Sequence, residues 1–133
     1  MSLTKKTVAY IDDSKVNHIL FQDALRPLNV DLIFGIDGND GYNKLKESVD
    51  AGVLPCLVVT DINMPNMNGF DFIKKVKAND QMKYMPILVF TTEYSKEQIG
   101  LGKQLGAAGW LQKPLNQNEI YQVINKFLRI RNL

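Results

Sequence analysis

One cysteine, one histidine and one tryptophan occur among 133 residues, and no apolar run approaches the length of a membrane span. With Cys56 alone no internal disulfide can form, which favours an intracellular setting. Cys56 opens an apolar run, where a lone thiol reads as a small buried side chain rather than a nucleophile. A transmembrane helix would need about 18 consecutive apolar residues, and none are present. The stretch Met1-Ser2-Leu3-Thr4-Lys5-Lys6 lacks the apolar core of a signal peptide. The expectation is a cytoplasmic protein that engages no membrane. Charge of one sign is missing too: sixteen Lys and Arg against fourteen Asp and Glu give +2. That balance does not argue for direct nucleic-acid binding, and the densest basic group, Lys74, Lys75 and Lys77, reads as a solvated helix face. No repeat, linker or low-complexity segment breaks the chain. The length fits one domain, 1–133, able to bury roughly two thirds of its unfolded surface.

What the chain does contain is alternation. Short apolar runs predict strands over Thr7–Ile11, Asp31–Ile36, Cys56–Thr60, Ile87–Thr91 and Gly109–Gln112, with helical patterns between them. The third and fourth runs are nearly continuous in β-branched and large apolar residues, as parallel strands covered on both faces require. Five strands alternating with five helices predict an open, mostly parallel α/β sheet with right-handed crossovers. Ser14 suits the cap of the first helix, whose apolar positions Val16, Ile19, Leu20 and Ala24 would share a face. Phe21–Leu25 and Phe70–Val76 read as core stripes. In the last helix, Leu115, Asn116, Glu119 and Ile120 stand at N′, N-cap, N3 and N4, a capping box with a hydrophobic staple. Ile120, Val123, Ile124, Phe127 and Leu128 then form its apolar stripe. The fourth helix, over Lys96–Leu105, carries Gly100 and Gly102, each costing about 1 kcal/mol in a helix interior, and reads as flexible. Gly100-Leu101-Gly102 is no dinucleotide fingerprint, because Leu105 replaces the third glycine and no strand-to-helix turn is present.

Acids at the ends of these strands carry the chemistry. Asp61 closes the run Val58-Val59-Thr60, and Asp12-Asp13 follow Val8-Ala9-Tyr10-Ile11. An unpaired charge inside an apolar strand costs several kcal/mol, whereas at the strand's exit it is held rigidly yet reaches water, a cation or a substrate. Ligands of open parallel sheets bind at the carboxyl ends of the strands, where Thr91 and Lys113 also fall. Clustered carboxylates ionise together only beside a cation, and oxygen ligands without His or Cys favour Mg²⁺. A carboxylate in such a site can attack phosphorus, with lysine and metal stabilising the transferring group.

Asp12-Asp13, Asp61 with Met64-Pro65 and Asn68-Gly69, Thr91 closing Ile87-Leu88-Val89-Phe90, Trp110, and Lys113-Pro114 stand in order at successive strand ends. In these pieces the chain resembles the receiver domain of two-component response regulators, in plan the single-domain chemotaxis type, over about residues 7–130. The resemblance implies a flavodoxin-like (βα)5 fold with strand order 2-1-3-4-5. It implies phosphorylation of Asp61 by a histidine kinase or histidine phosphotransfer protein. It further implies Mg²⁺ held by Asp13, Asp61 and the Asn63 backbone carbonyl, with Asp12 contributing through water. Lys113 and Thr91 would contact the phosphoryl group, and Lys113-Pro114 would be a cis peptide. Thr91 and the aromatic at 110 would form the switch that moves the fourth helix, fifth strand and fifth helix toward a downstream protein. The protein would act as a monomer or a phosphorylation-dependent dimer.

Departures from the family pattern are equally specific. Trp110 stands where Tyr or Phe is usual, and its larger ring would turn less freely. Thr92 stands where a smaller residue is common and would narrow access. Asn63 and Glu93, two residues beyond Asp61 and Thr91, would flank the attacking water. Asn63 also opposes a phosphatase acting on other substrates, since that chemistry wants a second carboxylate there; a pseudo-receiver that binds partners without phosphorylation is the other alternative. His18, on the first helix, reads as a surface residue rather than a phosphodonor.

Overall fold

The computed structural model describes residues 5–130, with the side chain of Ile130 excluded, so Met1 to Thr4 of the leader reading lie outside it. Strands β1 (Thr7–Ile11), β2 (Asp31–Gly35), β3 (Leu57–Thr60), β4 (Ile87–Thr91) and β5 (Gly109–Gln112) alternate with five α-helices. These are α1 (Lys15–Leu25), α2 (Gly38–Asp50), α3 (Gly69–Lys77), α4 (Lys96–Gln104) and α5 (Gln117–Ile130), with a short 3₁₀ turn, Arg26–Leu28, after α1. All four strand pairings are parallel and the order is β2-β1-β3-β4-β5, a five-stranded flavodoxin-like sheet. No described helix is long and apolar enough to cross a membrane.

Two cores follow from the twofold period of a strand. Val8 and Tyr10 of β1, Leu57 and Val59 of β3, and Leu88 and Phe90 of β4 face Phe21 and Leu25 of α1 and Ile120, Ile124 and Leu128 of α5. The alternate residues Ala9, Ile11, Val58, Ile87 and Val89 face Leu45 of α2 and Phe72, Ile73 and Val76 of α3. Covering both faces explains why the central strands lack a polar alternation.

The helix termini match their sequence signals closely. Ser14 accepts the Asn17 N–H and caps α1, while Asn68 accepts the Asp71 N–H and caps α3. At α5, Asn116 Oδ1 accepts the Glu119 N–H and Glu119 Oε1 accepts the Asn116 N–H, so the reciprocal capping box is formed.

Three readings need correction. The buried face of α1 is His18, Phe21, Ala24 and Leu25; Val16, Ile19 and Leu20 are 65%, 58% and 44% exposed. The helix carries two apolar stripes, and the one bearing Phe21 docks because that ring stacks on Tyr10 at 4.3 Å. His18 is accordingly buried, not a surface residue. Its Nε2–H donates to the Asp12 carbonyl at 2.6 Å, and its ring stacks on Phe34 at 4.8 Å. In α4, Gly100 faces open space, but a Cβ on Gly102 would lie 2.8 Å from Cζ3 of Trp110. Gly102 is there to admit the indole, so only Gly100 fits the reading of a loose helix. Smaller differences lie at strand ends. β2 stops at Gly35 because the Ile36 N–H turns to Asp40 Oδ2 at 3.0 Å, and Cys56 precedes β3, half-buried, its thiol near the Thr7 carbonyl at 3.3 Å.

Candidate functional site

The carboxyl ends of β1, β3 and β5 converge because these strands are held in parallel register. Ile11 pairs with Thr60, placing Asp12 and Asp61 side by side just beyond the ladder. The Asp61 N–H donates to the Ile11 carbonyl at 2.9 Å, which fixes that relation through the backbone. Lys113 leaves the end of β5, and its own N–H donates to the Thr91 carbonyl at 2.8 Å. The Lys113-Pro114 peptide is cis. Gly69, the first residue of α3, is packed directly on the β3–α3 loop. A Cβ there would collide with the Asp61 carbonyl and lie 2.8 Å from Cα of Ile62, so only glycine permits this close approach.

Within that frame a carboxylate oxygen from each of Asp12, Asp13 and Asp61 lies within 4.8 Å of the others. Lys113 Nζ donates to Asp12 Oδ2 at 2.6 Å and to Asp61 Oδ2 at 2.8 Å. Asp12 is 1% exposed and its oxygens are well supplied. Oδ2 also accepts the Tyr10 hydroxyl at 2.6 Å and Asn17 Nδ2 at 3.2 Å, and Oδ1 accepts the Ser14 N–H at 2.9 Å. Asp61 Oδ1 accepts the Ile62 N–H at 2.6 Å. Asp13 is exposed.

The electrostatics follow from these contacts. Burial pushes the Asp12 carboxyl up, but the bonds from Lys113, Tyr10 and Ser14 outweigh it and hold the group below the ordinary carboxylate value. Burial likewise pushes Lys113 down, and the two carboxylates overcome it and raise the ammonium above its usual value. The lysine is therefore charged. Three carboxylates against this single ammonium leave two negative charges uncompensated. An all-oxygen donor set with that deficit fits a hard divalent ion such as Mg²⁺, and the exposed Asp13 gives it an entry path.

Thr91 is fully buried at the end of β4, its Oγ1 accepting the Glu93 N–H at 3.4 Å. Asn63 is exposed two residues past Asp61, and its Nδ2 donates to Glu93 Oε1 at 2.6 Å. Trp110 is not gathered among the carboxylates. It packs against the α2–α3 side of the core beside Phe70, ring centroids 6.2 Å apart, and its indole N–H donates to the Glu93 carbonyl at 2.9 Å. Glu93 thus joins Thr91, Asn63 and Trp110. Sequence reasoning named those four but missed Tyr10, Asn17 and His18 as supports of Asp12. The signal for Tyr10 was available: residues two apart in a strand share a face, so a hydroxyl at 10 points where Asp12 points.

A family model for the response regulator receiver domain matches residues 8–125. The chain belongs to that family. Receivers of this kind are signalling proteins, and histidine kinases and downstream targets are the partners of chemotaxis-type receivers. The chain is 33% identical over 105 residues to the chemotaxis protein CheY1 of Helicobacter pylori, spanning 78% of this chain and 82% of that one. It is 35% identical over 94 residues to the chemotaxis protein CheY-3 of Vibrio cholerae, spanning 65% and 72%. Among solved structures, the chemotaxis response regulator CheY4 of Vibrio cholerae superposes with a TM-score of 0.81 at 31% identity, covering 93% of this receiver and 99% of CheY4.

Proposed function

We propose that this receiver takes a phosphoryl group onto Asp61 from the phosphohistidine of a histidine kinase or histidine phosphotransfer protein, and thereby changes its affinity for a downstream protein. The observation that carries the reading is the Lys113 ammonium spanning Asp12 and Asp61 at 2.6 and 2.8 Å inside a cluster of three acids. An Asp61 carboxylate oxygen forms the new O–P bond as the donor's N–P bond breaks. Lys113, already charged and aimed at that oxygen, is placed to follow the transferring oxygens, and the buried Thr91 hydroxyl is the next donor at the same strand ends. Asp13, Asp61 and the Asn63 backbone carbonyl would hold Mg²⁺, with Asp12 beside them. When bound, Mg²⁺ offsets the charge of the carboxylates and of the phosphoryl oxygens.

The same arrangement favours a switch over an enzyme acting on other phosphoesters. Asn63 has no transferable proton, and its amide is engaged by Glu93. The Thr91–Glu93–Trp110 link gives a phosphoryl-bound Thr91 a route to α4 and β5, in a receiver acting as a monomer or as a dimer formed on phosphorylation. The test is incubation with a small-molecule phosphodonor, with and without Mg²⁺, followed by intact-mass and peptide measurement. The expected result is one added phosphoryl group on Asp61 that requires Mg²⁺. A chain that gains none with Mg²⁺ present is a partner-binding module instead.

A further inference from the structure

Beneath the acid cluster lies a group for which the phosphoryl chemistry has no role. Tyr10 is fully buried in β1, two residues before Asp12, and its hydroxyl donates to Asp12 Oδ2 at 2.6 Å. The ring is wedged: it stacks on Phe21 at 4.3 Å and meets His18 edge-on at 5.6 Å, so the hydroxyl cannot swing aside without opening the core. With Lys113, Asn17 and the Ser14 N–H, the phenol brings to four the protein donors on Asp12. Three of the four fall on Oδ2, more than its roughly two lone-pair directions, whereas Oδ1 accepts only the Ser14 N–H, so it is Oδ2 that has nothing to spare. Asp61 has two such donors, and Asp13 is exposed.

We propose that Tyr10 is a positioning residue that keeps Asp12 Oδ2 turned toward the protein and withholds it from the cation, so that Asp13 and Asp61 carry most of the cation binding. The inference rests on the reading of the cluster as a divalent-cation site. A charge-assisted hydrogen bond and a cation compete for the same electron density on Asp12 Oδ2. Removing the phenol oxygen while retaining the ring therefore releases that density to the cation. The consequence is a sign that packing alone would not produce: a buried contact is lost, yet ligand affinity rises.

Calorimetric titration of Mg²⁺ into the unphosphorylated full chain tests this with wild type, Tyr10→Phe, Asp12→Asn and the double variant. Tyr10→Phe is expected to bind Mg²⁺ about three- to tenfold more tightly, a fraction of one charge-assisted hydrogen bond. In the Asp12→Asn background the same substitution is expected to change nothing. Equal or weaker binding by Tyr10→Phe overturns the proposal, as does a gain that persists without the Asp12 charge. A wild type that binds no Mg²⁺ overturns the cation-site reading together with this inference, whereas wild-type binding with an unmoved Tyr10→Phe overturns the inference alone. Should Tyr10→Phe fail to fold, the wild-type Tyr10 Cζ resonance is followed during Mg²⁺ titration. It is expected to shift while those of Tyr42, Tyr84 and Tyr121 stay in place, and a stationary Tyr10 signal overturns the proposal.

Discussion

At Asp12, burial and hydrogen bonding pull in opposite directions, and the bonds win. Its folded-state value lies below the ordinary one, so its charge stabilises the fold above that ordinary value, and the stabilisation is lost as pH falls through the folded value. Lys113 has the opposite sign: raised in the fold, it stabilises fully below its ordinary value and loses this as pH rises through the folded one. Denaturant melts of the Mg²⁺-free protein across a pH series are therefore expected to fall off at both extremes, and Asp12→Asn to flatten the acid limb. An acid limb as steep in Asp12→Asn as in wild type would show that the pairing with Lys113 and Tyr10 does not set it. Mg²⁺ should also raise the melting temperature, by about 2.7 kcal/mol of added stability at a hundredfold excess over Kd. Asp13→Asn should weaken that response, and equal stabilisation of the two proteins would count against Asp13 as a ligand.

Among the elements, α4 and β5 separate what propensity predicts from what packing demands. Gly100 and Gly102 look alike in a helical pattern, yet only Gly102 lies against the Trp110 ring. Gly100→Ala is expected to stabilise by about 0.5–1 kcal/mol, because alanine fits open helical surface and restricts the unfolded chain. Gly102→Ala is expected to destabilise by about 1–3 kcal/mol through overpacking against an indole pinned by its bond to Glu93. Equal effects in thermal melts would mean that Trp110 gives way freely. The same contrast explains how much of the structure was legible beforehand. Caps at Ser14 and Asn116 and the continuous apolar strands are local signals, and they were readable to within a residue or two. On α1 the Phe21–Leu25 stripe was readable as core, but the exposure of Val16, Ile19 and Leu20 was not, because two stripes compete within eleven residues and a tertiary contact, Phe21 on Tyr10, decides between them. His18 was misplaced for the same reason: nothing in its own neighbourhood shows that the Asp12 carbonyl awaits it. Asp12, Asp61 and Lys113 were legible as a site because each ends an apolar run, and parallel strands bring such ends together.

Across the whole molecule, the acids sit at the carboxyl ends of the central strands β1 and β3 and Trp110 on the edge strand β5, with Glu93, just past β4, between them. Its amide reaches Thr91, its carboxylate Asn63 and its carbonyl the indole. A phosphoryl group that draws Thr91 toward Asp61 would pull on the same residue that anchors Trp110. The rearrangement should therefore start in the β4–α4 loop, α4 and β5 and pass on to α5, leaving β1 and β3 as a fixed frame. Amide hydrogen exchange with and without a phosphoryl mimic at Asp61, in the presence of Mg²⁺, tests this most directly. Altered protection concentrated in residues 92–112, with β1 and β3 unchanged, is the predicted result; identical protection across 92–112 in the two states would contradict the switch.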